Sequence, residues 1–166
     1  PEAFVVPEIS IQEAMELSYF GAEVIHPFTM VPAIERGVPL WIKNTLNPDA
    51  RGTRISDTPP PSDRPITGVA SIENVALINV EGGGMMGIPG MASRVFAAMA
   101  HAGVNIIMIS QASSEHSICL VVRENEVDRA LRGLRKELQQ ELQRRQIDDF
   151  VHIPGLEIIA VIGANM

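Results

Sequence analysis

Two patterns of apolar positions follow one another along this chain, separated by a proline-rich break. In the first, Ser10-Ile11-Gln12-Glu13 forms a capping box, a hydroxyl for an orphan N–H with a carboxylate reaching back. Ala14, Met15, Leu17 and Tyr19 follow, predicting a helix over 10–20 that Gly21 ends. Residues 22–27 read as an extended or turning link into Pro27. A second short helix is expected over 29–36, stopped by Gly37, and a strand over 39–45. Residues 47–65, with consecutive prolines at 59–61, carry turn and linker chemistry.

Beyond the break the periods change. Residues 66–81 predict two short strands interrupted near Glu73-Asn74, followed by the loop "GGGMMGIPG". A helix is expected over 91–102, with Val95, Phe96, Met99 and Ala102 facing the core and Gly103 just past its end. Strands over 104–110 and 117–122 flank "QASSEH". A long helix over 125–145 carries the stripe Val127, Ala130, Leu131, Leu134, Leu138 and Leu142. One or two strands follow from 149. From Val75 onward this is strand, helix, strand, strand, helix, strand. That order predicts an α+β fold, the ferredoxin-like βαββαβ unit, with both singly striped helices on one face of an antiparallel sheet. Residues 76–85 and 157–166 align as apolar runs closing on glycine, with Met three positions later. Either a second copy of the unit begins as the chain stops, or two buried strands resemble each other by chance.

Composition narrows the function. Of 166 residues, 46% are hydrophobic and 20% charged, which suits a globular protein. Net charge is −7 without any block of Lys or Arg, so neither nucleic acid nor an anionic membrane is an expected partner. The cations Arg132, Arg135, Lys136, Arg144 and Arg145 alternate with Glu137 and Glu141 and read as a solvated helix face. The lone Cys119 excludes an internal disulfide and reads as a buried, inert thiol of a reducing compartment such as the cytoplasm. His26, His101, His116 and His152 show no ligand spacing, so no metal site is expected. Trp41 is expected in the core. Both ends of the chain read as cut.

The loop contains Gly82-Gly83-Gly84-Met85-Met86-Gly87, a literal G-x-G-x-x-G. A dinucleotide fingerprint also needs an acid about 20 positions on, at the tip of the next strand, and a crossover to a parallel strand. Here the next strand ends Ser110-Gln111-Ala112 and turns back as a hairpin, and no G-K-[ST] follows the glycines. Positive φ at Gly82, Gly83, Gly84 and Gly87, with Pro89 in the first helical turn, would aim the N–H groups of Gly90, Met91 and Ala92 outward. Together with the amides of Asn105 and Gln111 they would suit a small zwitterion. The alternative is a tight β–α turn that binds nothing.

"NVALINVEGGGM" with "SRVFAAMAHAGVNIIMISQASSEHSICLVV" resembles the first ACT domain of an aspartate kinase, most closely the threonine-sensitive type that includes bifunctional aspartokinase–homoserine dehydrogenases. Upstream, "ELSYFGAEVIHP" and "IKNTLNP" through "GT" resemble the end of that family's amino-acid-kinase domain. The resemblance implies a division into kinase-domain tail (1–57), linker (58–65), a strand that pairs with a second ACT unit (66–74), the first ACT domain (75–154) and the opening strand of the second (155–166). It implies a feedback role: an end-product amino acid bound at a dimer interface regulates an attached kinase that phosphorylates L-aspartate with ATP and Mg. Carried over, the effector site comprises Met85, Gly87, Pro89, Gly90, Met91 and Ala92, with Asn105, Ile106 and Gln111 opposite. A neutral amide at Gln111 suits the hydroxyl of threonine, whereas Glu115 would suit lysine. Lys43, Asn44 and Thr45 either border the nucleotide or form a structural strand and turn. The kinase's phosphate-binding motif is absent from these residues, so no catalytic residue and no cofactor is assigned to the chain. The implied location is the cytoplasm, or a plastid for a plant protein.

Overall fold

The capping box at Ser10 is formed. The Ser10 hydroxyl accepts the Glu13 N–H at 3.1 Å, and the Glu13 carboxylate accepts the Ser10 N–H at 2.8 Å. In the computed structural model, which describes residues 5–22, 24–60, 64–111 and 116–163, this box opens helix α1, Ile11–Tyr19. The expectations for Pro61, for Glu115 and the hairpin tip, and for the last three residues lie outside the described residues.

The chain divides into two compact units. One holds the described residues up to Ile72 together with Ile158 to 163; the other is Glu73–Glu157. In the first, strands β1 (Glu8–Ser10), β2 (Leu40–Ile42) and β3 (Thr53–Ser56) form a sheet in the order β1-β3-β2. β3 runs parallel to β1 and antiparallel to β2. Ile9, Ala14, Met30 and Ile55 are its buried centre. β3 lies inside the stretch that reads as turn and linker. Its alternation is only four residues long, and its partner β1 lies more than 40 residues away, so pairing rather than local pattern makes it a strand. Helix α2, Pro27–Glu35, starts two residues before the expected position, because His26 Nδ1 accepts the Phe28 N–H and Pro27 occupies the first turn. The strand expected over 39–45 stops at Ile42. Trp41 is 52% exposed rather than core, with the Arg54 guanidinium 5.7 Å from its ring.

Strand β4 (Gly68–Glu81), whose residues from Glu73 on belong to the second unit, is one strand rather than two. Asn74 adopts φ 57°, a left-handed residue that kinks the strand without ending it. Helix α3 (Met91–His101), strands β5 (Met108–Gln111) and β6 (Ser117–Arg123), helices α4 (Val127–Glu137) and α5 (Gln139–Gln143), and strand β7 (Asp149–Ile162) follow. Sheet order is β5-β6-β4-β7. β4 and β5 both pair antiparallel to β6. Ala76, Ile78 and Val80 stand opposite Val122, Leu120 and Ile118. All six are buried in one cluster with Val95 and Met99 of α3 and with Leu131 and Leu134 of α4. Both helices therefore cover the same face, and the ferredoxin-like α+β arrangement is present.

Three details depart from expectation. The long helix breaks at Leu138, whose φ of −104° and ψ of 23° redirect the chain into α5 while its side chain stays fully buried. β5 begins at Met108 rather than 104, since Val104 turns into the core and Ile107 alone bridges ahead of it, its N–H to the Val121 carbonyl at 2.8 Å. Cys119 is partly exposed on the opposite sheet face, where its thiol donates to Asn79 Oδ1 at 3.1 Å. β4 is continuous through residues 74 and 75, and β7 through 154 and 155. Near their far ends the Thr67 N–H donates to the Ile162 carbonyl at 2.8 Å.

Candidate functional site

β4 delivers the chain into the glycine loop at the end of the sheet, and the four glycines serve two different purposes. Gly82 is extended, with φ 174°, and Gly83–Met85 form a single 3₁₀ turn. At Gly82 a Cβ would lie 2.2 Å from the Gln146 carbonyl oxygen, and at Gly84 2.6 Å from Gln146 Cα. These two are glycine because another backbone passes against them, not because φ is positive. Only Gly87 of the four is left-handed (φ 72°), joined by Gly90 (φ 85°).

Gly90 caps α3 from the left-handed region with no side-chain hydrogen bond, and its carbonyl accepts the Arg94 N–H at 3.1 Å. The helix thus begins at Met91, and Pro89 precedes the cap instead of filling the first turn. Residues 91 to 93 supply the N–H groups that an α-helix leaves without intrahelical partners, at the positive end of its dipole.

Opposite the loop, register fixes Gln111. It pairs with Ile118, and Ile118 belongs to the core face, so Gln111 also stands on the helix-covered side of the sheet, at its rim. Met85, Gly87, Ile88, Pro89, Gly90, Met91, Ala92, Gln111 and Ile118 together line an open cleft of about 350 Å³. Its floor is apolar, since Met85, Met91 and Ile118 are all buried. Its polar groups are main-chain donors on one wall and a neutral amide on the other. That donor set suits one carboxylate and one hydroxyl or amine on a small body, and its lining brings no Lys or Arg to the double charge of a diphosphate.

Seven of the nine expected site residues meet here. Asn105 and Ile106 do not line the cleft. They precede β5 at its other end, six positions and up to about 20 Å of chain from Gln111. Asn105 is exposed, and Ile106 packs against the core. Ile88 and Ile118 were not foreseen. The hairpin register would have found Ile118, had the length of its turn been known. Lys43 and Asn44 lie in the first unit at the border of a separate cavity of about 460 Å³ walled by Ile9, Leu17, Ile42 and Ile55. Asn44 Oδ1 accepts the Leu46 N–H at 2.9 Å, a turn contact, and Thr45 falls within that turn.

Among the described residues no cluster of three or more His, Cys, Asp or Glu side chains is arranged to hold a metal ion. No helix among them is long and apolar enough to cross a membrane.

The ACT domain family matches residues 78–138, from β4 through the end of α4. The bifunctional aspartokinase/homoserine dehydrogenase 2, chloroplastic, of Arabidopsis thaliana is 44% identical over 171 residues, covering 99% of this chain and 19% of that protein. The crystal structure of Clostridium acetobutylicum aspartate kinase, described as an allosteric enzyme, superposes with a TM-score of 0.81 at 25% identity, covering 96% of this chain and 36% of that one. E. coli aspartokinase III in complex with lysine and aspartate superposes with a TM-score of 0.68 at 25% identity, over 95% of this chain and 34% of that one. The chain spans about a fifth of the length of the curated relatives it matches. Residues 78–138 are an ACT domain, and the chain belongs with the regulatory regions of the aspartokinases.

Proposed function

We propose that the cleft between the glycine loop and Gln111 is a receptacle for a free amino acid, threonine in the first instance, whose binding regulates an attached aspartate kinase. The carrying observation is the juxtaposition of uncapped α3 donors with the Gln111 amide across a 350 Å³ cleft with an apolar floor. The effector's carboxylate takes the N–H groups at the start of α3, and its side-chain hydroxyl takes the Gln111 amide. The apolar floor accepts its methyl group. The attached kinase uses ATP and Mg to phosphorylate L-aspartate, and the effector acts on it through differential binding to two arrangements, typically worth about 1–3 kcal/mol. A second copy of the chain joins through the exposed edge strand β5, one end of which carries Gln111 to the cleft.

Lysine is the second reading, supported by the E. coli aspartokinase III that was crystallised with lysine. Calorimetric titration separates the two. Threonine is expected to give saturable heat and lysine little. Gln111→Ala removes one neutral hydrogen bond, about 0.5–1.5 kcal/mol, and weakens threonine roughly three- to tenfold without changing thermal stability. A chain that gives heat with neither amino acid would overturn the receptacle.

A further inference from the structure

The glycine loop and the start of α3 contact α5 and the turn that follows it. Arg94, one turn into α3, forms an ion pair with Glu141 of α5 through both guanidinium NH groups, one of them at 3.0 Å. The same guanidinium donates to the Glu137 carbonyl at 2.6 Å and lies 3.6 Å from the Glu137 carboxylate. Glu141 is the only buried charged residue among those described in the second unit. Its backbone carbonyl accepts the N–H of Gln146 at 2.8 Å and, more weakly, that of Ile147 at 3.4 Å. Gln146 is the residue whose backbone fills the space beside Gly82 and Gly84. Arg145, just before it, sits at φ 55°, a left-handed conformation uncommon for a residue with a side chain. The loop is thus held at both ends by one short segment: its entry by Gln146 against two glycines, its exit by Glu141 against Arg94.

We infer that α5 with the turn at 144–147 is a brace that sets the shape of the effector loop, with Arg94 and Glu141 as positioning residues for a ligand neither of them touches. The inference rests on the receptacle reading for its functional meaning, but not for its physical test. An ordinary surface ion pair contributes little. This one differs because its acid is buried and its geometry bidentate, and because the acid's own main chain holds the turn on which the glycines lie.

Amide hydrogen exchange on the full chain, without any amino acid added, decides the matter. In Arg94→Gln and Glu141→Gln the hydrogen-bonded amides of Met85, Ile88 and residue 94 are expected to exchange about tenfold faster or more, while those of β6 keep their wild-type protection. The exchanged pair Arg94→Glu with Glu141→Arg should recover part of the loop protection. A general loss of protection including β6 would mean the pair merely stabilises the fold. Unchanged loop exchange in both single variants would overturn the brace outright. Threonine titration of the same variants then reads its consequence, a roughly tenfold weaker affinity. If wild-type chain binds neither threonine nor lysine, the receptacle falls, and the exchange result still stands for or against the brace.

Discussion

At the scale of single residues, the glycine loop separates a conformational requirement from a packing one. Gly83 has no atom within 4 Å of where its Cβ would be and is not left-handed, so Gly83→Ala is expected to change stability by less than about 0.5 kcal/mol. Its neighbour Gly82 faces the Gln146 carbonyl, a backbone atom that cannot swing aside. Gly82→Ala should therefore cost roughly 1–3 kcal/mol in denaturant unfolding, the range for overpacking a close contact. Equal effects at the two positions would mean the loop is not seated on Gln146. The glycine motif was plain in the sequence, but its cause was not. A string of glycines looks the same whether it makes room for a turn, a phosphate or a neighbouring backbone, and only the position of Gln146, more than 60 residues away, distinguishes them.

At the scale of elements, one predicted helix breaks into α4 and α5, and α5 carries the buried acid that pairs with Arg94 of α3. Glu141 is held below the ordinary glutamate range, chiefly by the hydrogen bond from Arg94, against burial, which pushes it upward, and with help from the charges of Arg94 and Arg144. Arg94 is raised in turn, mainly by the same hydrogen bond. The charged groups around the pair are Arg94 from α3, Glu137 from α4 and Arg144 from the turn after α5. Because Glu141 titrates lower in the folded chain than in the unfolded one, its contribution is complete above the unfolded value of about 4.3 and is lost as the pH falls through the folded value. The stability gap between wild type and Glu141→Gln should accordingly be constant above about pH 5 and narrow as the solution is acidified below about pH 4. Thermal melts across that interval check it, and a gap that persisted undiminished into strong acid would count against the pair. The stripe from Val127 to Leu142 announced a helix of about the right extent. It could not announce the break, because Leu134, Leu138 and Leu142 keep their spacing of four straight through it.

At the scale of the whole molecule, the sheet of the ACT unit ends on β5, which among the described residues pairs with β6 on one side only and is exposed at all four residues, with Ile109 at 50%. An edge of unpaired main-chain groups with apolar side chains invites another strand. A dimer is expected by analytical ultracentrifugation, and Ile109→Lys, which places a charge on that edge, should shift it towards monomer at micromolar concentration. A wild-type chain that stays monomeric at high concentration would remove β5 as the joining surface.

What the sequence determined by itself is whatever short-range chemistry specifies: the capping box of α1, the helix from Met91 with Gly103 beyond it, the apolar stripe of α4, and the βαββαβ order that makes a ferredoxin-like unit. The same local reading grouped residues that line one cleft, because a glycine loop and a helix start are contiguous in the chain. The tertiary structure decided everything that depends on a partner far along the chain. It made β3 a strand by giving it β1, turned Trp41 outward, joined two expected strands through a kink at Asn74, and kept Asn105 and Ile106 away from the cleft. It also set Glu141 under Arg94 and Gln146 against Gly82. Local propensity is written in neighbouring residues, whereas pairing, close backbone approach and buried charge are properties of contacts that exist only once the chain has closed on itself.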